Sequence, residues 1–132
     1  APWSSVYLDL GSLFGPTTLA VERTFKRCGM QNPEGNREPC DHFAYELEFL
    51  AEMHKRTASA LREGNAKDAG KSLEEAMSFK ETYMDPWSNT FLDTVIAGAR
   101  CDAYCGTALL ARGFLEIEGA FLNCETLDRG GA

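Results

Sequence analysis

The sequence has no long apolar run and few basic residues, and each of these absences excludes a class of function. No stretch of the 132 residues approaches the roughly 20 apolar residues of a membrane-spanning helix, and no charged-then-apolar leader opens the chain. We therefore expect a soluble chain without membrane insertion. Lys and Arg total 13 against 20 Asp and Glu, a formal net charge of −7. Because a phosphate backbone is bound by clustered Lys and Arg, this balance argues against nucleic-acid binding and favours a basic partner.

Cysteine is sparse, which argues against a disulfide scaffold. The five cysteines are an odd number without the density of a small secreted domain, so we expect reduced thiols in a cytosol. Zinc sites are typically built from cysteine pairs separated by two residues, and the chain has no such pair. Metal binding therefore remains the less favoured interpretation. It would use Cys101 and Cys105 with Cys40 or His42.

No stretch alternates apolar and polar residues long enough to predict a strand, although residues 5–8 are ambiguous, so helical periodicity decides the fold class. About five helices are predicted, which gives an all-α helical bundle. They are a helix over about 18–28 with a threonine N-cap, a central helix over about 41–62, a third from Asn65 or Asp68, a fourth from Asp85-Pro86 and a fifth capped by Asp102. We expect a single domain over residues 1–127 and a flexible tail over 128–132.

The central helix carries the longest apolar stripe and closes at Gly64, a residue that adopts a left-handed conformation without strain. Its predicted inner face is Phe43, Leu47, Leu50, His54, Ala58 and Leu61. Its N-terminus is predicted at Asp41 as the N-cap or at Pro39 as the first helical residue. The acidic residues Asp41, Glu48 and Glu52 fall on one face, which is either solvated or a dock for arginines.

Asp41 and His42 are the strongest candidates for chemistry. Adjacent helical residues point about 100° apart, so the pair does not form the hydrogen bond of a catalytic dyad, and no spaced nucleophile accompanies it. Two interpretations remain, a structural N-cap or a recognition edge in which carboxylate and imidazole line a groove, and spacing does not separate them. A further alternative is a small metal- or nucleotide-binding helical domain that uses Asp41, His42 and cysteines, although no phosphate-cradling glycine motif is present.

Four blocks, in order, resemble the TorD/DmsD family of molybdoenzyme maturation chaperones. The Glu-Pro-x-Asp-His block is the most specific, and the Pro-Trp-x-Ser-Val-Tyr-Leu-Asp block is closest to the DmsD branch. The blocks are residues 2–9, residues 13–15 with 18–20, residues 38–43, and residues 86–88 with 91–93.

This resemblance implies an all-helical, cytoplasmic protein without catalysis and without a cofactor or metal of its own. Family members bind the twin-arginine signal peptide of a molybdenum-cofactor oxidoreductase subunit, assist cofactor insertion and proofread export. Carried over by position, the signal-peptide-binding residues are Trp3, Tyr7, Glu38, Pro39, Asp41 and His42.

The resemblance starts about a third of the way into a typical family member, so the family's N-terminal helices have no counterpart here. We expect the apolar surface that those helices would cover to favour a homodimer or exchange of elements between copies. Tyr83-Met84 also replaces a His-Leu pair of the family, and Ala103-Tyr104 replaces Phe-Tyr. Both changes fall at packing positions.

Overall fold

A computed structural model describes residues 1–31 and 37–130, with side chains described up to residue 122. Within these ranges there is no strand, and Trp3 and His42 form an isolated antiparallel bridge. The predicted all-α fold is confirmed. The helices are α1 (Ser4–Leu8), α2 (Pro16–Arg27), α3 (Phe43–Arg62), α4 (Ala66–Phe79), α5 (Ser88–Gly98) and α6 (Asp102–Gly130), with a π-helical turn over Lys80–Met84. None of the helices in these ranges is both long and apolar enough to cross a membrane.

The chain divides into two compact units, Ala1–Ser88 and a second unit that begins at Asn89. In the second unit, Arg112 of α6 forms an ion pair with Asp93 of α5. Helix α6 begins at Asp102, where the sequence predicted a helix start, and it extends over the first residues of the predicted tail to Gly130. Residues 131–132 lie outside the described part, and the single domain over residues 1–127 stays a prediction.

Helix α2 begins at Pro16, two residues earlier than predicted. Proline suits the first helical position because its φ is already helical and it has no amide hydrogen to satisfy. The predicted threonine cap is wrong because the Thr17 hydroxyl donates to Asp9 Oδ1 (2.7 Å) and the Thr17 amide donates to Asp9 Oδ2 (2.9 Å). Asp9 also lies so close to Gly15 that a Cβ there would be 2.4 Å from Asp9 Oδ2. The turn after α1 is thereby fixed to the start of α2.

Helix α3 begins at Phe43 because His42, not Asp41, is its N-cap. His42 Nδ1 accepts a hydrogen bond from the Ala44 amide at 3.1 Å. The helix ends at Arg62, and Gly64 follows with φ of 72°, as the sequence predicted. The C-terminal boundary was therefore predictable, whereas the N-terminal boundary was not.

The buried face of α3 differs from the predicted stripe. Leu61 is 61% exposed and Ala58 is also exposed, so the predicted stripe is wrong over its second half. The observed face has the regular three- and four-residue spacing of a helix, but it passes through a glutamate that the apolar pattern skipped. It consists of Phe43, Glu46, Leu50, Met53, Thr57 and Ala60, with Phe49 beside it.

Helix α4 has the predicted cap, because Asn65 Oδ1 accepts from the Asp68 amide at 3.1 Å. The fourth predicted helix, expected from Asp85-Pro86, begins instead at Ser88. The Asp85 carboxylate bonds Lys80 Nζ at 2.6 Å across the π-helical turn. The residues between Met84 and Ser88 form a turn rather than a continuous helix.

The core of the first unit is an aromatic cluster. The Phe49 ring lies 4.4 Å from Phe79 and 5.2 Å from Phe25, measured between ring centroids. Trp87, 1% exposed, packs against Phe43 at 5.7 Å. These contacts join α2, α3, α4 and the turn that precedes α5.

Substituting Phe49 tests this core. We expect Phe49→Ala to lower the free energy of unfolding by about 3–5 kcal/mol, because a fully buried ring is removed from a packed cluster. Leu61→Ala, at an exposed position of the same helix, should change the free energy by less than about 0.5 kcal/mol. Urea unfolding followed by circular dichroism measures both. An equal effect of the two substitutions would contradict the assignment of the core.

Candidate functional site

The N-terminal segment is paired with the start of α3. The Phe43 amide donates to the Pro2 carbonyl at 2.8 Å, and the Ser4 amide donates to the Asp41 carbonyl at 3.0 Å. These two bonds form the antiparallel bridge between Trp3 and His42. They bring Trp3 beside residues 38–42, from which it is separated by more than 30 positions in the sequence.

Asp41 lies beneath this bridge rather than at its surface. Its side chain has no exposed area, and Asp41 Oδ2 accepts from the Ser5 amide at 2.8 Å, with the Ser4 hydroxyl at 3.4 Å. The carboxylate thus satisfies an amide in the first turn of α1, where the helix has no acceptor of its own. The predicted exposed acidic face therefore does not include Asp41, because its carboxylate is used inside the fold, whereas the assignment of Asp41 to the peptide-binding residues stays a prediction.

Trp3, Glu38 and His42 form the exposed edge above Asp41, and we call these three residues the Trp3 edge. Trp3 Nε1 donates to Glu38 Oε1 at 2.9 Å. The Trp3 and His42 rings meet edge to face, with centroids 5.7 Å apart and planes at 80°. All three side chains are partly exposed. Because His42 Nδ1 accepts from Ala44, the ring proton of neutral His42 lies on Nε2.

The structure does not bring the other predicted residues to this edge. Pro39 is buried beside Asp41 in the chain, and its carbonyl accepts from the His42 amide at 3.2 Å. Tyr7 packs against Trp87 at 5.0 Å. Of the six predicted residues, three therefore form an exposed edge, two lie beneath it, and Tyr7 is partly exposed against the aromatic core.

Glu46 is the residue that sequence reasoning missed. It is fully buried on the inner face of α3, one helical turn after His42. Burial raises the pKa of Glu46 well above its usual range. The nearby Ser4 side chain lowers the pKa of Glu46 by less, the Asp41 charge raises it further, and Trp87 lowers it by the smallest amount. Its burial could have been predicted from its position in the sequence, because Glu46 lies three residues after Phe43 and four before Leu50, on the inner face of the helix.

A groove of about 220 Å³ adjoins the Trp3 edge. Its apolar wall includes Phe14, Leu19 and Pro39. Glu38 belongs both to this groove and to the Trp3 edge. The remaining lining residues are Thr18, Glu22, Arg37 and Cys40. We call this cavity the Phe14 groove.

The cysteines do not form a recognisable metal site in the part of the chain that the structure describes. Burial raises the pKa of Cys40 to about 12, and its thiol donates to the Thr18 carbonyl at 3.4 Å. A cysteine binds a metal as its thiolate, and the buried environment of Cys40 disfavours that form. No group of three or more His, Cys, Asp or Glu residues with metal-binding geometry occurs in the described ranges, and the Cys124 side chain lies outside them.

Comparison with known proteins gave consistent matches. The family described as nitrate reductase delta subunit matches residues 1–93. Tat proofreading chaperone DmsD of Salmonella typhimurium is 32% identical over 112 residues, which cover 84% of this chain and 48% of that protein. Chaperone protein TorD of Vibrio parahaemolyticus is 27% identical over 126 residues, 92% of this chain and 55% of that protein. These matches confirm the resemblance to the TorD/DmsD family.

Chaperone protein TorD of Vibrio cholerae, 25% identical over 115 residues, covers 87% of this chain and 51% of that protein. The chain thus spans about half the length of the curated relatives it matches. No solved structure gives a significant match.

The buried carboxyl group of Glu46 predicts a dependence of stability on pH. Because the pKa of Glu46 is higher in the folded state than in the unfolded state, Glu46 makes its full contribution to the free energy of unfolding below the ordinary pKa of 4.5. This contribution is lost as the pH rises through the folded-state pKa. Between these two pKa values, the free energy of unfolding of Glu46→Gln should rise relative to that of the parent chain by about 1.4 kcal/mol for each pH unit.

Urea unfolding at several pH values measures this difference. Glu48→Gln, an exposed position on the same helix, is the control and should follow the parent chain at every pH. If the free energies of unfolding of Glu46→Gln and the parent chain change in parallel with pH, the pKa of Glu46 is not raised in the folded state. That result would contradict the prediction.

Proposed function

We propose that this chain, which belongs to the nitrate reductase delta subunit family, binds the twin-arginine signal peptide of a molybdenum-cofactor oxidoreductase subunit. In this proposal it acts in the cytoplasm as a maturation chaperone, without catalysis. Binding holds the subunit back while its cofactor is inserted and so proofreads export. The names of the relatives, a Tat proofreading chaperone and a TorD chaperone, support this role.

The observation that carries the proposal is the hydrogen bond from Trp3 to Glu38 at an exposed edge. It fixes a carboxylate beside an aromatic ring. A guanidinium group bonds a carboxylate through two parallel N–H donors, and its flat face stacks on an aromatic ring. The Trp3 edge supplies both partners in one place. His42 adds an imidazole that meets the indole edge to face.

The surroundings of the edge support recognition of a basic peptide. The formal net charge of −7 attracts a positively charged segment and speeds its encounter with the chain. The bonds between residues 2–4 and 41–43 hold Trp3 and His42 in place before the peptide arrives. A pre-organised site loses less conformational entropy on binding than a mobile one.

The contacts of Asp41 and His42 do not favour the alternative functions. Asp41 Oδ2 bonds the Ser5 amide and His42 Nδ1 bonds the Ala44 amide, so these hydrogen bonds lead to different partners rather than forming a dyad. Each of these two atoms is thus already bonded within the fold. A binding role for the neighbouring Trp3 edge agrees better with this arrangement.

Glu38→Gln tests the proposed arginine site. Because the substitution removes the charge but keeps the shape, we expect affinity for a synthetic twin-arginine leader to fall about tenfold or more. Isothermal titration calorimetry measures this against a leader with both arginines changed to lysine, for which the effect of Glu38→Gln should be smaller. The matched control is Glu48→Gln, which removes an exposed carboxylate from α3 and should bind as the parent chain does.

Two outcomes would count against this account. If the folded parent chain shows no arginine-dependent binding, the proposed function is contradicted. If the parent chain binds with arginine dependence and Glu38→Gln binds equally well, the arginines are bound elsewhere on the chain.

An apolar stripe on α6 supports the predicted association between copies of the chain. Leu110, Phe114, Ile117 and Phe121 repeat at spacings of four and three residues and are 42–75% exposed. Such a stripe is typical of a helix surface that packs against another element. We expect light scattering to detect dimers whose fraction rises with concentration and falls in Ile117→Glu. A monomer at all concentrations would contradict this prediction.

A further inference from the structure

Four oxygen atoms of fully buried side chains lie beneath the Trp3 edge without a direct hydrogen-bond partner among the described residues. They are Ser5 Oγ, Asp41 Oδ1 and the two carboxyl oxygens of Glu46. None of these three residues has any exposed area. Such atoms are costly and therefore rare in native structures. Their concentration at this one place points to a role beyond packing.

The Glu46 carboxyl group lies against α1 and against the turn that precedes α5. Its neighbours there are Ser4 and Trp87, which both lower its pKa by less than burial raises it. The donors of these neighbours point elsewhere. The Ser4 hydroxyl donates to Asp41 Oδ2 at 3.4 Å, and Trp87 Nε1 donates to the Tyr83 carbonyl at 2.6 Å. Glu46 is therefore enclosed by groups that do little to stabilise its ionised form.

The titratable groups that face Glu46 are Asp41 and Cys40, which both belong to the segment before α3. Burial raises the pKa of Cys40 to about 12, so its thiol does not ionise near neutral pH. Burial also raises the pKa of Glu46, and the charge of Asp41 raises it further. No basic side chain is among the described groups that shift it. Two ionised carboxylates would repel each other here, and a proton on Glu46 removes that repulsion.

The N-terminal segment is the cover that separates this cluster from water. It is held to the start of α3 by the backbone bonds of Ser4 and Phe43 and by the bond from the Ser5 amide to Asp41 Oδ2. Helix α1 has five residues, too few to be stable without such contacts. Ionised Glu46 would gain hydration if this segment moved away. Because the same segment carries Trp3, the movement would also take the Trp3 edge apart.

We propose that Glu46 is a positioning residue for the leader, which keeps residues 2–5 closed on the start of α3 while it carries its proton. It acts through the N-terminal segment and not by contact with the leader. This inference rests on the proposed function and adds a buried residue to its site. Since the leader binds the closed form and the closed form retains the proton, a rise in pH opposes binding.

The pH profile of leader affinity in Glu46→Gln tests this inference. Gln keeps the shape of the side chain but does not ionise. We expect equal affinities of parent chain and variant at about pH 5, close to the ordinary pKa of a glutamate. As the pH rises towards the folded-state pKa, the affinity of the parent chain should fall relative to that of the variant, by up to about tenfold for each pH unit. A change of packing alone would not depend on pH.

Isothermal titration calorimetry at several pH values measures this ratio of affinities. Glu38 and His42 of the Trp3 edge are present in both chains, so their own titration cancels in the ratio. Glu48→Gln, at an exposed position of α3, is the matched control and should follow the parent chain at every pH. Glu46→Leu also lacks an ionisable group, so its affinity should likewise be retained as the pH rises. The comparison thus does not depend on one substitution.

A measurement without the leader tests the closed segment directly. The rate of hydrogen exchange at the Ser5 amide, which bonds Asp41 Oδ2, reports whether the segment is closed. At the same pH, this exchange should be faster in the parent chain than in Glu46→Gln, and the ratio of the two rates should grow as the pH rises. Amides in the middle of α3 should exchange equally in both chains.

The outcomes distinguish failure of this inference from failure of the proposed function. If both ratios stay constant with pH while the parent chain shows arginine-dependent binding, the inference is overturned and the proposed function stands. If the exchange ratio changes with pH and the affinity ratio does not, Glu46 holds the segment without positioning the leader, and the inference is also overturned. If the parent chain shows no arginine-dependent binding at any pH, both proposals fail.

Discussion

The hydrogen bond from the Ser5 amide to the buried carboxylate of Asp41 is the interaction on which the exposed edge depends. It joins positions 36 residues apart in the chain and satisfies an amide at the start of α1 that the helix leaves without an acceptor. With the backbone bonds of Ser4 and Phe43, it fixes the N-terminal segment against the start of α3. The position of Trp3, and therefore the orientation of Glu38, follows from this attachment.

The resulting site has two layers with different roles. The buried layer contains Asp41 and Glu46, and burial raises the pKa of Glu46 well above its usual range. The exposed layer contains the Trp3 edge, where a carboxylate and two aromatic rings are partly exposed. A buried polar group costs stability if it has no hydrogen-bond partner. When it is bonded, as Asp41 Oδ2 is to the Ser5 amide, it helps to hold the Trp3 edge in a single arrangement. The shape of the exposed edge is thus maintained by buried residues that lie beneath it.

Sequence reasoning predicted those features of the fold and site that depend on near neighbours. The Asn65 cap, the end of α3 before Gly64 and the helical class follow from residues within a few positions of one another. The burial of Asp41 did not follow, because its partner Ser5 is distant in sequence and the short α1 has too little periodicity to be predicted. Glu46 was missed because charge is taken to mean exposure, whereas here the spacing of the helix places it in the core. The resemblance assigned Trp3, Glu38 and His42 to one binding site, and the structure brings these three side chains together.

The most direct test of this account is the exchange of the Ser5 and Phe43 amide hydrogens in the parent chain and in Asp41→Asn, measured together with the affinity for a twin-arginine leader. The account predicts slow exchange of both amides in the parent chain. In Asp41→Asn, exchange at Ser5 should be faster and leader binding weaker, while amides in the middle of α3 remain protected. Asp68→Asn, at an exposed carboxylate of α4, should change neither quantity. If Asp41→Asn loses protection at Ser5 and still binds the leader as the parent chain does, the attachment of the N-terminal segment does not organise the site and the central claim is wrong.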